Sequence, residues 1–216
     1  MTSITPVNFT GNPNKSFEAF SQQVLKGAKK GQKTNLKDFT HNLTSFTDSF
    51  EANKDVMNKK SKKFAEALVG LNKDNMASIV YSFLIKLNRG NLKMVEEFAT
   101  NALKIAKRLK DPVHIMARAN DLREVYKITP PKDDRFMTVL FEEKRALKDI
   151  VKNYDSLQAK NKNLKPKDNY RTLLADVQYD IGIRHKDKNV SNQELTEARA
   201  MYKELGLTEK AELIKV

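Results

Sequence analysis

The sequence contains no cysteine and no tryptophan, and it has only seven glycines and six prolines in 216 residues. Without cysteine, the chain has no disulfide, thiolate zinc site, iron–sulfur cluster or cysteine nucleophile. It also lacks a long apolar run, since the longest one, residues 79–85, is far shorter than the roughly 20 residues that cross a bilayer. We therefore expect no transmembrane segment.

The beginning of the chain has few apolar residues and many small polar ones. Residues 1–15 include Pro6, Gly11 and Pro13, which are typical of turns and irregular structure. We expect these residues to form a flexible N-terminal tail. The same stretch lacks the basic start and the apolar centre of a secretory signal, so a cytoplasmic protein is the resulting expectation.

The chain has an excess of positive charge, and its apolar residues recur with the spacing of a helix. Lysine and arginine number 40 against 27 aspartates and glutamates, which gives a net charge of +13, and charged residues make up 31% of the sequence. Leu36, Phe39, Leu43, Phe46 and Phe50 recur every three or four positions. This spacing predicts a helix whose apolar stripe packs against a core.

Signals for helix starts recur along the rest of the chain. Asp111 and Pro112 suit an N-cap and a first helical position, so we expect a helix to begin there. The apolar spacing over residues 136–157 predicts one long helix, and Ser191 with Glu194 has the pattern of a capping box. No segment has the alternation of a strand, so we predict an all-α fold with about nine or ten helices.

One segment carries a resemblance to a known repeat family. Residues 101–113, NALKIAKRLKDPV, with the apolar positions that follow as far as Tyr126, resemble a tetratricopeptide (TPR) helical hairpin repeat. Small residues in this segment lie where the paired helices of such a repeat approach closely. Upstream, Gly90 and Asn91 resemble the turn within a repeat.

A second, weaker copy lies near the end of the chain, where residues 198–205 resemble residues 102–109. We therefore divide the chain into a tail (1–15), an N-terminal helical hairpin region (16–73) and a TPR-like region (74–216). The resemblance implies stacked hairpins with a groove that binds a peptide or a partner protein. A curved TPR-like α-solenoid and an irregular helical bundle both fit the periodicity.

The helix after Pro112 carries the candidate groove residues Arg118, Asn120, Arg123 and Lys127. If a groove exists there, these side chains suit an acidic ligand or a C-terminal carboxylate. The leading hypothesis is therefore a non-enzymatic protein- or peptide-binding module, or adaptor, with a basic surface.

Motifs for catalysis and metal binding are missing. The chain has no glycine-rich phosphate loop, no Gly-x-Ser-x-Gly elbow and no His-x-x-x-His pair. Asp176 and Asp180 are one helical turn apart and precede His185, which fits a divalent cation but also an ordinary solvated helix face. The neighbours Glu142 and Glu143 are interpreted as surface charge. We expect no enzymatic activity, no cofactor and no metal site.

Lysines are densest over residues 54–73, which carry six lysines and two carboxylates. Lys59, Lys60, Lys62 and Lys63 lie at the centre of this cluster and are candidates for contacts with the phosphates of RNA or DNA. Lysine outnumbers arginine and no aromatic residue is interleaved with the cluster, so the cluster has few side chains that could hydrogen-bond to base edges or stack on bases. Nonspecific nucleic-acid binding is therefore the alternative function.

Overall fold

The computed structural model describes residues 13–215, and no strand occurs in this range. Nine of its helices have nine residues or more and three are shorter, so the predicted all-α fold is confirmed. The helices are α1 (Pro13–Lys29), α2 (Leu36–Thr44), α3 (Thr47–Ala52), α4 (Lys54–Gly70), α5 (Asp74–Leu87), α6 (Leu92–Leu109), α7 (Pro112–Ile128), α8 (Arg135–Lys152), α9 (Tyr154–Lys160), α10 (Lys167–Gly182), α11 (Lys188–Glu204) and α12 (Thr208–Glu212). None of these described helices is both long enough and apolar enough to span a bilayer.

The predicted tail and the predicted domain boundary both differ from what the structure describes. Residues 1–12 of the tail lie outside the described residues, and residues 13–15 already belong to α1. The chain divides at Leu109 into two compact units; we call residues 13–109 the first unit and residues 110–215 the second unit. The boundary predicted after residue 73 falls between α4 and α5, which pack against each other within the first unit.

The first unit is built around phenylalanine rings. Their centroids lie 5.4–6.4 Å apart, mostly in tilted or edge-on pairs, which suits the ring quadrupoles. The rings belong to Phe17, Phe20, Phe39, Phe46, Phe50 and Phe64. The ring of Phe50 also lies 5.0 Å from that of Phe83 in α5, so helices on both sides of the predicted boundary share one core.

The stripe predicted over residues 36–50 faces this core, but it belongs to two helices. Phe39, Leu43, Phe46 and Phe50 are each at most 2% exposed, whereas Leu36 is 39% exposed. The helix stops at Thr44 because hydroxyl groups there bond to nearby carbonyls: Ser45 Oγ donates to Asn42 O at 2.7 Å and Thr47 Oγ1 to Thr44 O at 2.7 Å. Such side-chain bonds compete with the regular helical ladder.

In the second unit α8 packs against both α7 and α10, and α10 also packs against α11. The predicted start of α7 is confirmed, since Asp111 Oδ1 accepts hydrogen bonds from the amides of Val113 at 3.0 Å and His114 at 3.1 Å. The long helix predicted over residues 136–157 is interrupted at Asn153, whose side chain donates to the Asp149 carbonyl at 3.0 Å.

Close packing of α10 on α11 explains a second difference from the sequence-based prediction. Helix α11 begins at Lys188, and its N-cap is Asp187, four residues before the predicted cap at Ser191. Ser191 Oγ instead donates to the Gly182 carbonyl at 2.6 Å. A Cβ at Gly182 would lie 2.5 Å from Leu195 Cγ, so only glycine permits this approach of the two helices.

Candidate functional site

The candidate groove residues of α7 do not share one exposed surface. Asn120, Arg123 and Lys127 are spaced three and four residues apart and therefore lie on one face of the helix, while Arg118 lies on the opposite face. Arg118 Nη1 pairs with Asp121 Oδ2 at 3.3 Å, and only 15% of the Arg118 side chain is exposed. The structure brings together three of the four predicted residues.

Arg123 is buried in the second unit and already paired. It is 3% exposed, and its Nη2 donates to Asn120 Oδ1 at 2.9 Å. Its Nε lies 3.3 Å from Glu143 Oε2 of α8, and its Nη1 lies 3.5 Å from Asp180 Oδ2 of α10. The prediction that Arg123 faces an open groove is therefore wrong, because two carboxylates of the same unit surround the guanidinium.

Two further cations, Lys127 and Arg184, lie close to Asp180. Lys127 Nζ lies 3.0 Å from Asp180 Oδ2 and 3.5 Å from Glu124 Oε1. From the turn that follows α10, Arg184 Nη1 donates to Asp180 Oδ1 at 3.0 Å and to the Asp180 carbonyl at 3.1 Å. Lys127, the most exposed of the predicted set, is thus also engaged within the unit.

Glu143 is the least accessible of these charged and titratable residues, with a side chain that is 0% exposed. Burial raises the pKa of its carboxyl to about 8; Asp180 and Glu124 add to the rise, and Arg123 and Lys127 oppose it. Within the described residues, neither carboxyl oxygen of Glu143 accepts a hydrogen bond. A carboxyl in such surroundings holds its proton up to neutral pH, because desolvation penalises the charged form.

We call Arg123, Glu143, Asp180, Lys127 and Arg184 the charge network. It joins α7, α8 and α10, and its groups pair with one another, although Lys127 and Arg184 also reach solvent. Buried charge of this kind is weak support for stability, but removing one partner is costly because it strands the others. The network thus links three helices through charged groups and through the Glu143 carboxyl, which can bind or release a proton.

A neighbouring polar cluster extends from α8 to α11. Lys144 pairs with Glu194, which is 4% exposed. Gln178 of α10 donates to Glu194 Oε2 at 3.3 Å and also bonds to Glu197. Glu194 therefore pairs with other helices instead of completing a capping box at the start of its own.

The charge network was missed at the level of sequence. Glu143 was interpreted as surface charge, yet it is buried. A signal for its burial exists, since it shares the stripe of Leu140 and Leu147 at spacings of three and four residues.

Asp176 and Asp180 do not converge on His185 as ligands: Asp176 accepts hydrogen bonds from Tyr202 at 2.6 Å and Lys210 at 2.7 Å. Among the described residues, no group of three His, Asp or Glu side chains is placed to hold a metal ion.

The candidate lysines of α4 divide into two pairs. Lys60 Nζ lies 2.8 Å from Glu18 Oε1 of α1, and Lys62 Nζ lies 2.5 Å from Glu97 Oε1 of α6, which raises the Lys62 pKa through the hydrogen bond and the charge. Lys59 and Lys63 are exposed, and neither has an ion-pair partner in the described part of the chain. Half of the predicted basic cluster therefore ties helices of the first unit together.

Comparison with known proteins gives little further information. No family model matches the chain, and no curated protein matches it. The crystal structure of BtubC (BKLC) from P. vanneervenii is similar to it at 16% sequence identity, over 93% of this chain and 87% of that chain, with a TM-score of 0.38. At that TM-score the likeness bears on neither the repeat type nor the function of this protein.

Proposed function

We propose that this protein is a non-enzymatic binding module whose first unit docks an acidic protein or peptide. The main observation that supports this proposal is the uneven distribution of charge along the chain. The sequence up to Leu109 holds 18 lysines and arginines against nine aspartates and glutamates, whereas the sequence after it holds 22 against 18. The net charges are therefore +9 and +4, and the first unit attracts an acidic partner more strongly.

Internal ion pairs leave this difference in net charge unchanged, because each pair removes one charge of each sign. Three carboxylates of the first unit, Glu18, Glu97 and Asp74, are already paired with cations of the same unit. Most of the other lysines of the first unit are exposed. The TPR-like character that we propose for the module is supported by the packing of consecutive helices, α5 with α6, α7 with α8 and α10 with α11.

The burial of the aromatic side chains favours a protein partner over single-stranded nucleic acid. Every phenylalanine and tyrosine between residues 13 and 109 is at most 7% exposed. Single-stranded nucleic acids are bound largely by stacking of bases on aromatic rings. A surface that offers lysine without such rings is better matched to the carboxylates of a polypeptide.

A direct binding measurement tests this proposal. We expect the protein to increase the fluorescence anisotropy of a fluorescein-labelled octaglutamate peptide at about 50 mM salt, and the affinity to fall as salt screens the charges. A labelled octalysine peptide is the matched control and should not bind. Failure to bind octaglutamate at low salt contradicts the proposal.

Nonspecific nucleic-acid binding is the second candidate, supported by the exposed pair Lys59 and Lys63, which lie one helical turn apart on α4. If this pair contacts phosphates, the variant K59E/K63E should reduce the salt dependence of RNA binding by about one unit of log–log slope for each lysine. An unchanged slope would exclude these two lysines as the phosphate contacts.

A further inference from the structure

An open cleft lies in the first unit beside the loop that joins α1 to α2. Its volume is about 450 Å³, within the range of ligand sites in proteins. The turn between α4 and α5 and the last residue of α6 also line it. The polar lining residues include Gln32, Lys33, Asn72, Lys73, Asp74 and Asn75.

The charge that faces this cleft is positive. Lys33 and Lys73 line it, and neither has an ion-pair partner among the described residues. The one carboxylate in the lining, Asp74, accepts two hydrogen bonds from Arg108, at 2.9 Å from Nε and 2.7 Å from Nη2. Because this bidentate pair compensates Asp74, the two ammonium groups remain unbalanced.

Amide side chains add further donors. Gln32, Asn72 and Asn75 line the same cleft, and within residues 13–215 none of their side chains makes a hydrogen bond. Asn72 has a left-handed backbone with φ of 55°, which asparagine tolerates at the end of a helix such as α4. The cleft thus combines two cations and three amides that have unused hydrogen-bonding capacity.

We propose that this cleft receives the carboxylate side chains of an acidic peptide, a proposal that rests on the function proposed above. A carboxylate only accepts hydrogen bonds, at about four lone-pair sites, so ammonium and amide donors complement it. Leu36, Met76 and Leu109 supply an apolar lining for the methylene groups of a glutamate side chain. The cleft therefore suits a glutamate-rich segment.

Phosphate is the competing chemistry, since a lysine also binds phosphate as a point charge. The lining contains no aromatic ring on which a base could stack, and the nearby Arg108 fork is occupied by Asp74. These features favour the carboxylates of a peptide over a nucleic acid. The experiment below includes RNA so that the two classes are separated.

The test compares two double variants that remove the same charge from the same unit. K33A/K73A alters the cleft, and the matched control K59A/K63A alters the exposed pair on α4. With fluorescein-labelled octaglutamate as the probe, we expect K33A/K73A to weaken binding about tenfold and the control to weaken it less than about threefold. The charge-retaining variant K33R/K73R should bind like the parent protein, and thermal unfolding checks that each variant is folded.

The outcomes separate the cleft from the broader function. Equal losses in K33A/K73A and K59A/K63A overturn the cleft and leave diffuse binding of acidic partners intact. No binding of octaglutamate by the unmodified protein overturns the proposed function itself. If K33A/K73A weakens binding of a labelled single-stranded RNA of eight nucleotides more than binding of octaglutamate, the cleft is a phosphate site and the peptide proposal is wrong.

Discussion

The two units bury polar groups in opposite ways. In the first unit Asn58 and Asn88 are at most 2% exposed and exchange two hydrogen bonds, at 2.8 and 3.0 Å, between α4 and the end of α5. In the second unit four of the five buried polar residues that the structure describes, Arg123, Glu143, Asp180 and Glu194, carry charge or a titratable proton, and the fifth is Gln178. Neutral amides satisfy each other at any pH, whereas the charge network depends on protonation.

The same contrast applies to the cations of the two units. Those of the second unit are largely matched by carboxylates, and Arg123, Lys127 and Arg184 are turned toward Asp180. In the first unit the buried polar groups are neutral, and the excess of lysine stays outside the core. Charge in the second unit is therefore largely paired within the unit, and charge in the first unit mostly stays on its surface.

The largest expected effect comes from removing the centre of the charge network. Arg123→Ala should lower the free energy of unfolding by about 3 kcal/mol or more, because the buried Asp180 carboxylate and the protonated Glu143 carboxyl both lose the guanidinium beside them. Chemical denaturation at pH 7 measures the change.

A matched variant shows whether charge or packing causes this loss. R123M/E143L removes the guanidinium together with the carboxyl group that faces it and keeps apolar volume, and it should be more stable than R123A, since replacing both members of a buried polar pair is often neutral or stabilising. If R123M/E143L is as unstable as R123A, the network does not act through paired charge.

The next effect is a pH dependence that belongs to the second unit. The Glu143 pKa rises from its ordinary value of 4.5 to about 8 in the folded protein, so between these pH values the folded state binds a proton that the unfolded state has already lost. Stability should therefore be highest below about pH 4.5 as far as this group is concerned, and should fall as the pH rises toward 8, by at most about 1.4 kcal/mol per pH unit.

The variant E143Q isolates the contribution of Glu143 to the pH dependence of stability. Glutamine cannot ionise, so the parent protein should lose stability relative to E143Q between pH 5 and pH 8. The groups that face Glu143 are Arg123, Glu124 and Lys127 from α7 and Asp180 from α10, and they are the same in both proteins. Parallel stability curves for the two proteins would show that Glu143 is ionised in both the folded and the unfolded state.

Periodicity predicted most of the fold because burial of apolar stripes decides where helices form. The spacing of Phe39, Leu43, Phe46 and Phe50 predicted a core-facing stripe, which is buried. The break within it follows from hydroxyl-to-carbonyl bonds near Ser45, which spacing does not register. A period therefore locates the core more reliably than the end of a helix.

The charge network was harder to predict because it depends on contacts between distant parts of the sequence. Arg123, Glu143 and Asp180 come from three helices, and their meeting is a property of tertiary packing. The same holds for the cleft, where the loop after α1 lies beside the turn after α4. The sequence places Arg123 at a candidate groove by its position on the helix after Pro112, but it does not reveal the contacts with Glu143 and Asp180.

The smallest expected effect concerns the neutral amide pair, and it is the counterpart of the pH term. Asn58→Ala leaves Asn88 Oδ1 without its donor and should cost about 1–3 kcal/mol, equally at pH 5 and pH 8, because neither amide titrates. Ser61→Ala, on the same helix, is the control and should be nearly neutral, since the buried Ser61 Oγ has no hydrogen-bond partner within the described residues. Chemical denaturation of both variants at the two pH values measures this. A cost for N58A that changes by more than about 1 kcal/mol between them would mean that a titrating group reaches the amide pair, and the contrast between the units would fail.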